Sequence, residues 1–91
     1  MNFEQSNRKN KRLVAIFPTG ERIHFGQRGG NTYIDHGDKA KRDAYLARHG
    51  TDRENWKNPM TPGSLSRWIL WGPYTQIQAN IAFFKNMFRL Y

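Results

Sequence analysis

The sequence predicts an α+β fold: an N-terminal β-hairpin packed with about three helices, the last two apolar and aromatic. Three observations carry this expectation. KRLVAIF carries β-branched and aromatic residues and ERIHF alternates, and the two flank the turn signal PTG. Helix-forming composition and helical apolar spacing take over after residue 38. A chain of 91 residues is one small domain at most.

The elements follow in order. Residues 1–10, MNFEQSNRKN, are polar and read as a basic arm, a kind of terminus that stays disordered unless tied down. Residues 11–91 form the single domain. In its first strand Val14 and Ile16 share one face, and Leu13, Ala15 and Phe17 the other. In the second, Ile23 and Phe25 lie opposite His24. The glycines of FGQRGGN make a loop, and Tyr33-Ile34-Asp35 reads as a short extended segment. DKAKRDAYLARHG reads as a helix, with Asp38 or Asp35 near its start and Gly50 after its end. Tyr45, Leu46 and His49 cluster on one side of it, and Lys41 and Arg48 lie a heptad apart on another. Thr51 and Glu54 match a capping box and imply a helical turn. Pro59 and Pro62 interrupt the chain. SLSRWILW is then a short apolar helix, with Ser64 and Ser66 as caps and Gly72-Pro73 as its stop. The last helix opens on a Thr75–Gln78 capping box and carries the stripe Ile77, Ile81, Phe84, Phe88 and Tyr91, widened by Phe83 and Met87.

Composition bounds the function. Hydrophobic content of 37% and a net charge of +8 push toward disorder. Aromatic content of 14% opposes this, because each large ring can bury roughly 150–250 Å². A folded domain with an edge completed by a partner is the expected compromise. All seven acids precede residue 55, and after Lys57 only Arg67, Lys85 and Arg89 are charged. The back half should therefore build most of the core. There is no cysteine, which removes disulfides and thiolate metal sites. No apolar run approaches the roughly 20 residues that span a bilayer, and the N-terminus lacks a signal-peptide core.

A pI near 10.3 points to acidic partners: nucleic acid, an anionic membrane surface or an acidic protein. Two clusters are the candidate contacts. Arg8, Lys9, Lys11 and Arg12 form the first, and Lys39, Lys41, Arg42 and Arg48 the second. Either suits phosphates with salt-sensitive affinity, and either also suits a solvated surface. GQRGG lacks the phosphate-loop pattern, although Arg28 could touch a phosphate. His24, His36 and His49 lack metal-ligand spacing and read as structural, with His49 favoured by a helix C-terminus; a metal shared by His36 and Asp38 is the weaker reading. No nucleophile elbow or selected carboxylate pair is present. The expectation is a protein that is not an enzyme, with no cofactor, metal or small-molecule substrate. Trp68 and Trp71 sit among Leu65, Ile69 and Leu70 with only Arg67 charged nearby, which favours packing over base stacking. Trp68 is expected in the core. Trp71 and Tyr74, with Phe83 and Met87, are expected at the edge where a protein partner docks.

Three stretches carry a resemblance: KRLVAIFPTGERIHFG, YIDHGDKAKRDAYLARHG and NWKNPMTPGSLSRWILW. Together they resemble an uncharacterised family of short basic proteins encoded by large nucleocytoplasmic DNA viruses of algae and protists, such as chloroviruses and mimivirus relatives. The resemblance spans residues 11–88. Its most specific pieces are His24-Phe25-Gly26, Tyr45-Leu46-Ala47-Arg48-His49 and Ser66-Arg67-Trp68-Ile69-Leu70-Trp71. Gly29-Gly30-Asn31 and the Gly72-Pro73 exit match the pattern less closely. That family has no established activity. The resemblance implies a context: a virion with a multi-component capsid over an internal membrane, assembled at a site within the host cell. The expected function is a minor capsid or cement protein that bridges larger capsid proteins. The alternative is a nucleic-acid-binding protein that contacts viral DNA through its basic residues.

Overall fold

A computed structural model describes residues 1–50 and 55–90. The fold is α+β: an antiparallel sheet at the N-terminus followed by helices. The sheet has three strands in the order β1 (Asn2–Gln5), β2 (Lys11–Ile16) and β3 (Arg22–Gln27). Helices α1 (Tyr33–His36), α2 (Lys39–His49) and α3 (Pro62–Leu65) follow. The last of these runs directly into a π-helical turn, Ser66–Leu70, before α4 (Ile77–Phe88).

Residues 2–5, expected in a free arm, form β1 instead. Phe3 explains the change. It pairs opposite Ala15 and packs edge-on against Phe25 and Phe84, with centroids 6.2 and 6.1 Å away. One ring removed from water supplies on the order of 1–2 kcal/mol, enough to help hold a short edge strand. The turn after it is tied at both ends. Ser6 is buried, its backbone N–H donates to the Arg12 carbonyl, and its hydroxyl accepts from the Arg8 N–H. The Arg28 guanidinium donates to the carbonyls of Ser6 and Arg8 at 2.7 and 2.9 Å. Arg28 thus serves the β1–β2 turn rather than a phosphate loop.

The sheet alternates as its sequence requires. Phe3, Leu13, Ala15, Ile23 and Phe25 share the inner face. Val14 is fully buried on the other face, between Glu4 and His24 in the ladder. The core joins Ala15, Phe17 and Phe25 to Leu65, Ile69, Leu70 and Phe84, so both halves of the chain build it. Gly26 sits at the closest approach, where a Cβ would meet the Leu70 Cδ1 at 2.8 Å.

Helix boundaries depart from expectation for local reasons. Residues 33–35 are helical, not extended, because Asp35 accepts hydrogen bonds from the Thr32 N–H and hydroxyl, both at 2.8 Å. Of the two acids expected near its start, Asp38 caps α2, accepting from the N–H groups of Ala40 and Lys41. Pro62 opens α3 rather than breaking the chain, since a first-turn residue needs no N–H partner. Its cap is Thr61, whose hydroxyl accepts from the Ser64 N–H; Ser64 and Ser66 lie inside the helical run. The box formed by Thr51 and Glu54 falls outside the described residues, as does Tyr91 at the end of the apolar stripe.

The Thr75–Gln78 box does not cap α4. Gln76 occupies that position without a side-chain bond. Asn80, fully buried, secures the turn instead. Its amide donates to the carbonyls of Ile69 and Tyr74 at 3.0 and 2.8 Å, and its oxygen accepts from the Tyr74 N–H at 2.9 Å. Gly72 leaves room for it, because a Cβ there would sit 2.7 Å from the Asn80 amide and collide with the Trp68 carbonyl.

Asn80→Ala should lower stability by about 2–4 kcal/mol, because it strands a buried carbonyl and opens a cavity. Gly72→Ala should destabilise by the opposite route, because its Cβ collides with the Trp68 carbonyl and displaces the Asn80 amide. Guanidinium unfolding midpoints check both, and a loss under about 0.5 kcal/mol for Asn80→Ala contradicts the assignment.

Stability should also fall with acid in two steps. Desolvation, then the charges of Arg8, Arg22 and Lys11, hold His24 below its ordinary 6.5. The unfolded chain therefore takes up that proton first, and stability declines as pH drops below about 6.5. Arg12 holds the Asp35 carboxyl well below its ordinary 3.8, through two 2.8 Å bonds. That contribution is complete above 3.8 and lost as pH falls further. Unfolding midpoints measured against pH should lose the first step in His24→Gln and flatten at the second in Asp35→Asn.

Candidate functional site

The π turn places the site. Its closing bond runs from the Trp71 N–H to the Ser66 carbonyl at 3.0 Å. The Trp71 carbonyl then faces two arginines. It accepts from Arg42 Nε and from Arg67 Nη1, each at 3.1 Å, while Arg42 Nε also reaches the Gly72 carbonyl at 2.9 Å. Arg42 therefore turns inward, unlike its exposed neighbours Lys39 and Lys41.

The Trp71 ring is half-buried and packed on Tyr45, with centroids 4.3 Å apart and planes 4° from parallel. Tyr45 also stacks with His49 at 4.3 Å. His36 meets Trp71 edge-on at 5.5 Å. Beside this assembly lies an open cavity of about 350 Å³, lined by Asn31, His36, Lys41, Ala44, Arg48 and Trp71. A second cavity of about 250 Å³ shares Asn31 and Trp71 and extends toward Gly26 and Ser66. Trp71 thus borders both.

The first cavity is cationic by construction. Lys41 and Arg48 are two helical turns apart on α2 and share one side, with the small Ala44 between them. His36 adds a neutral donor. Its Nδ1 accepts from the Asp38 N–H at 2.8 Å, so the neutral ring carries its proton on Nε2. That Nε2 is buried and has no hydrogen-bond partner among the described residues. Two neighbouring acids are engaged elsewhere: Asp38 caps α2 and Asp35 binds Arg12. This arrangement replaces the idea of a metal shared by His36 and Asp38. Among the described residues no group of three or more His, Asp and Glu is placed to hold a metal.

Arg67 lies between two rings, 5.0 Å from the Trp56 centroid and 4.1 Å from that of Trp68. Desolvation, reinforced by Arg42, pushes its pKa down to about 10, which leaves it cationic at neutral pH. Trp68 packs against the core and donates from its indole to the Trp56 carbonyl at 3.0 Å.

The expected contact residues separate into three places. Arg12 is engaged by Asp35 and leaves the first basic cluster, while Arg8 and Lys9 remain exposed in the β1–β2 turn and Lys11 is half-buried at the start of β2. Lys41 and Arg48 line the cleft. Tyr74, Phe83 and Met87 form an apolar ridge, with exposures of 50%, 37% and 39% and a 6.3 Å Tyr74–Phe83 contact. Phe83 and Met87 thus lie outside the buried stripe they were expected to widen. Asn31 and His36 are site residues that sequence reasoning missed as such. His36 two positions before a helix cap was the available signal.

A small α+β protein presenting a basic cleft and an apolar ridge is what the geometry defines. By sequence the chain belongs to a family of unknown function, DUF5754, whose pattern matches residues 1–49. The matched segment contains the sheet, α1 and α2, and so the basic walls of the cleft; Trp71 and the ridge lie beyond it. No curated protein and no solved structure matches the chain.

Arg67→Met should change stability by less than about 1 kcal/mol, because it removes a desolvated charge while Arg42 still satisfies the Trp71 carbonyl. A loss above about 2 kcal/mol in thermal or guanidinium unfolding would assign the position's value to the two cation–π contacts.

Proposed function

We propose that the protein is a non-enzymatic bridging component of a virus particle, a minor capsid or cement protein that joins larger proteins. One observation carries this reading: a domain of 36 × 27 × 26 Å presents two chemically distinct surfaces that its own core does not use. The apolar ridge of Tyr74, Phe83 and Met87 fits a protein partner. The cleft of Lys41, Arg48 and His36 fits an anionic one. A bridge needs two such faces, and the viral context comes from the family resemblance of the sequence.

The cleft favours a second reading, contact with nucleic acid, because it sets two exposed cations beside an aromatic ring. Under that reading the domain packages or regulates viral DNA. Its arginines and lysines then neutralise phosphates, and affinity depends steeply on salt.

Met87→Asp with Phe83→Ser should leave the circular dichroism spectrum intact and lower incorporation into purified particles at least about tenfold, equivalent to about 1.4 kcal/mol of contact energy. Particles that retain the variant at wild-type copy number rule out the bridge. Tight DNA binding at physiological salt, with a slope that falls by about 2 in Lys41→Ala/Arg48→Ala, would establish the second reading in its place.

A further inference from the structure

We infer that the cleft beside Trp71 is a binding site for a phosphate monoester. This deepens the reading of the cleft as the anionic face, and rests on it. The donors set the ligand class. Lys41 and Arg48 come from α2, His36 from α1, and Asn31 from the loop before it. Side chains drawn from separate elements approach one volume from different directions. A planar carboxylate offers two oxygens and one charge. A phosphate monoester offers three terminal oxygens in a tetrahedral array and nearly two charges, which suits more donors and more cations.

His36 sharpens the choice. A histidine that binds anions by charge must be free to protonate at both nitrogens. Here the Asp38 N–H occupies Nδ1 at 2.8 Å and reserves Nε2–H as a neutral donor. That donor is buried without a hydrogen-bond partner among the described residues, so it meets an acceptor oxygen only when the ring, which lines the cleft, turns its Nε2–H edge outward, and a ligand that draws it out satisfies it. The charge comes from Lys41 and Arg48, with Arg42 and Arg67 behind Trp71 adding to the positive potential. Ala44 keeps the helix wall low between the two cations. A volume of about 350 Å³ lies at the small end of the roughly 300–1,000 Å³ of ligand sites, which admits the phosphate and a compact group attached to it. The group is carried by a small molecule or by a phosphorylated side chain; the recognised chemistry is the same.

The test uses the full chain, labelled with ¹⁵N, and follows the Trp71 indole, the His36 ring and the Asn31 side chain by NMR. Inorganic phosphate, adenosine monophosphate and a phosphoserine peptide are titrated against sodium chloride at equal ionic strength. Saturable shifts at these groups are expected with the phosphates and not with chloride. Lys41→Ala/Arg48→Ala should weaken them at least about tenfold and His36→Phe about fivefold, while Lys39→Ala, outside the cleft, should leave them unchanged. The tighter of the nucleotide and the peptide identifies the source of the phosphate. Shifts that match those of chloride, or that persist in the double variant, overturn the inference. Tighter binding of an oligothymidylate without terminal phosphate also overturns it, in favour of a phosphodiester backbone. A glutamate-rich peptide that binds where phosphate does not overturns it too, yet leaves the cleft as an anionic-partner face. Failure of every anion removes both.

Discussion

Asn80 holds the C-terminal half in register. A fully buried primary amide is costly to desolvate, and it is tolerated here because three hydrogen bonds satisfy it. Those bonds join the end of the π turn at Ile69 to the far side of the chain reversal at Tyr74. Helix α4 is thereby returned over the sheet, where Phe84 reaches Phe3 and the core. The same reversal presents the Trp71 and Gly72 carbonyls to Arg42. Gly72 is part of the same constraint, since no side chain fits between the Trp68 carbonyl and the Asn80 amide. Core, cleft and ridge all depend on this one amide and the space beside it.

The treatment of charge follows from that geometry. Four arginines are taken out of the surface pool. Arg12 is neutralised by Asp35, and Arg28 and Arg42 are absorbed by backbone carbonyls. Arg67 is held by two indoles and a carbonyl, and its lowered pKa records the desolvation. Lys41 and Arg48 have no such internal role among the described hydrogen bonds, and they border a cavity with a histidine held in one tautomer. Net charge alone makes an acidic partner an expectation and points to no particular residue. The distribution of internal bonds says which cations stay without an internal role.

The family match divides the molecule in a useful way. Residues 1–49 supply the sheet and the basic helix, whereas the π turn, Trp71 and the exposed ridge lie beyond. The cleft is therefore built jointly, with its cations from the matched segment and its aromatic floor from outside it. The ridge belongs wholly to the later segment. The two faces differ in chemistry, and only the cleft draws residues from the matched segment.

Local chemistry was legible from the residues themselves. The β-branched and aromatic run of KRLVAIF and the alternation of ERIHF placed the hairpin, Gly50 and one of two candidate acids, Asp38, bounded α2, and the spacing of Ile77, Ile81, Phe84 and Phe88 gave the inner side of α4. The exposed positions of Tyr74, Phe83 and Met87 also follow from the limited surface that so short a chain can cover. Thr32 and Asp35 form a capping box whose spacing is itself a local signal for α1. Other features had no local signal. Phe3 in a polar stretch becomes a strand residue only because Phe25 and Phe84 await it across the fold. Asn80 looks like a polar interruption in an apolar stripe until Ile69 and Tyr74 supply its partners. Arg12 and Arg42 count as surface cations until Asp35 and the Trp71 carbonyl meet them from more than twenty residues away. Propensity and periodicity act over a few neighbours and so determine the elements, but desolvation and hydrogen-bond satisfaction depend on what arrives from elsewhere in the chain, and these decided which charges are absorbed internally and which stay at the surface.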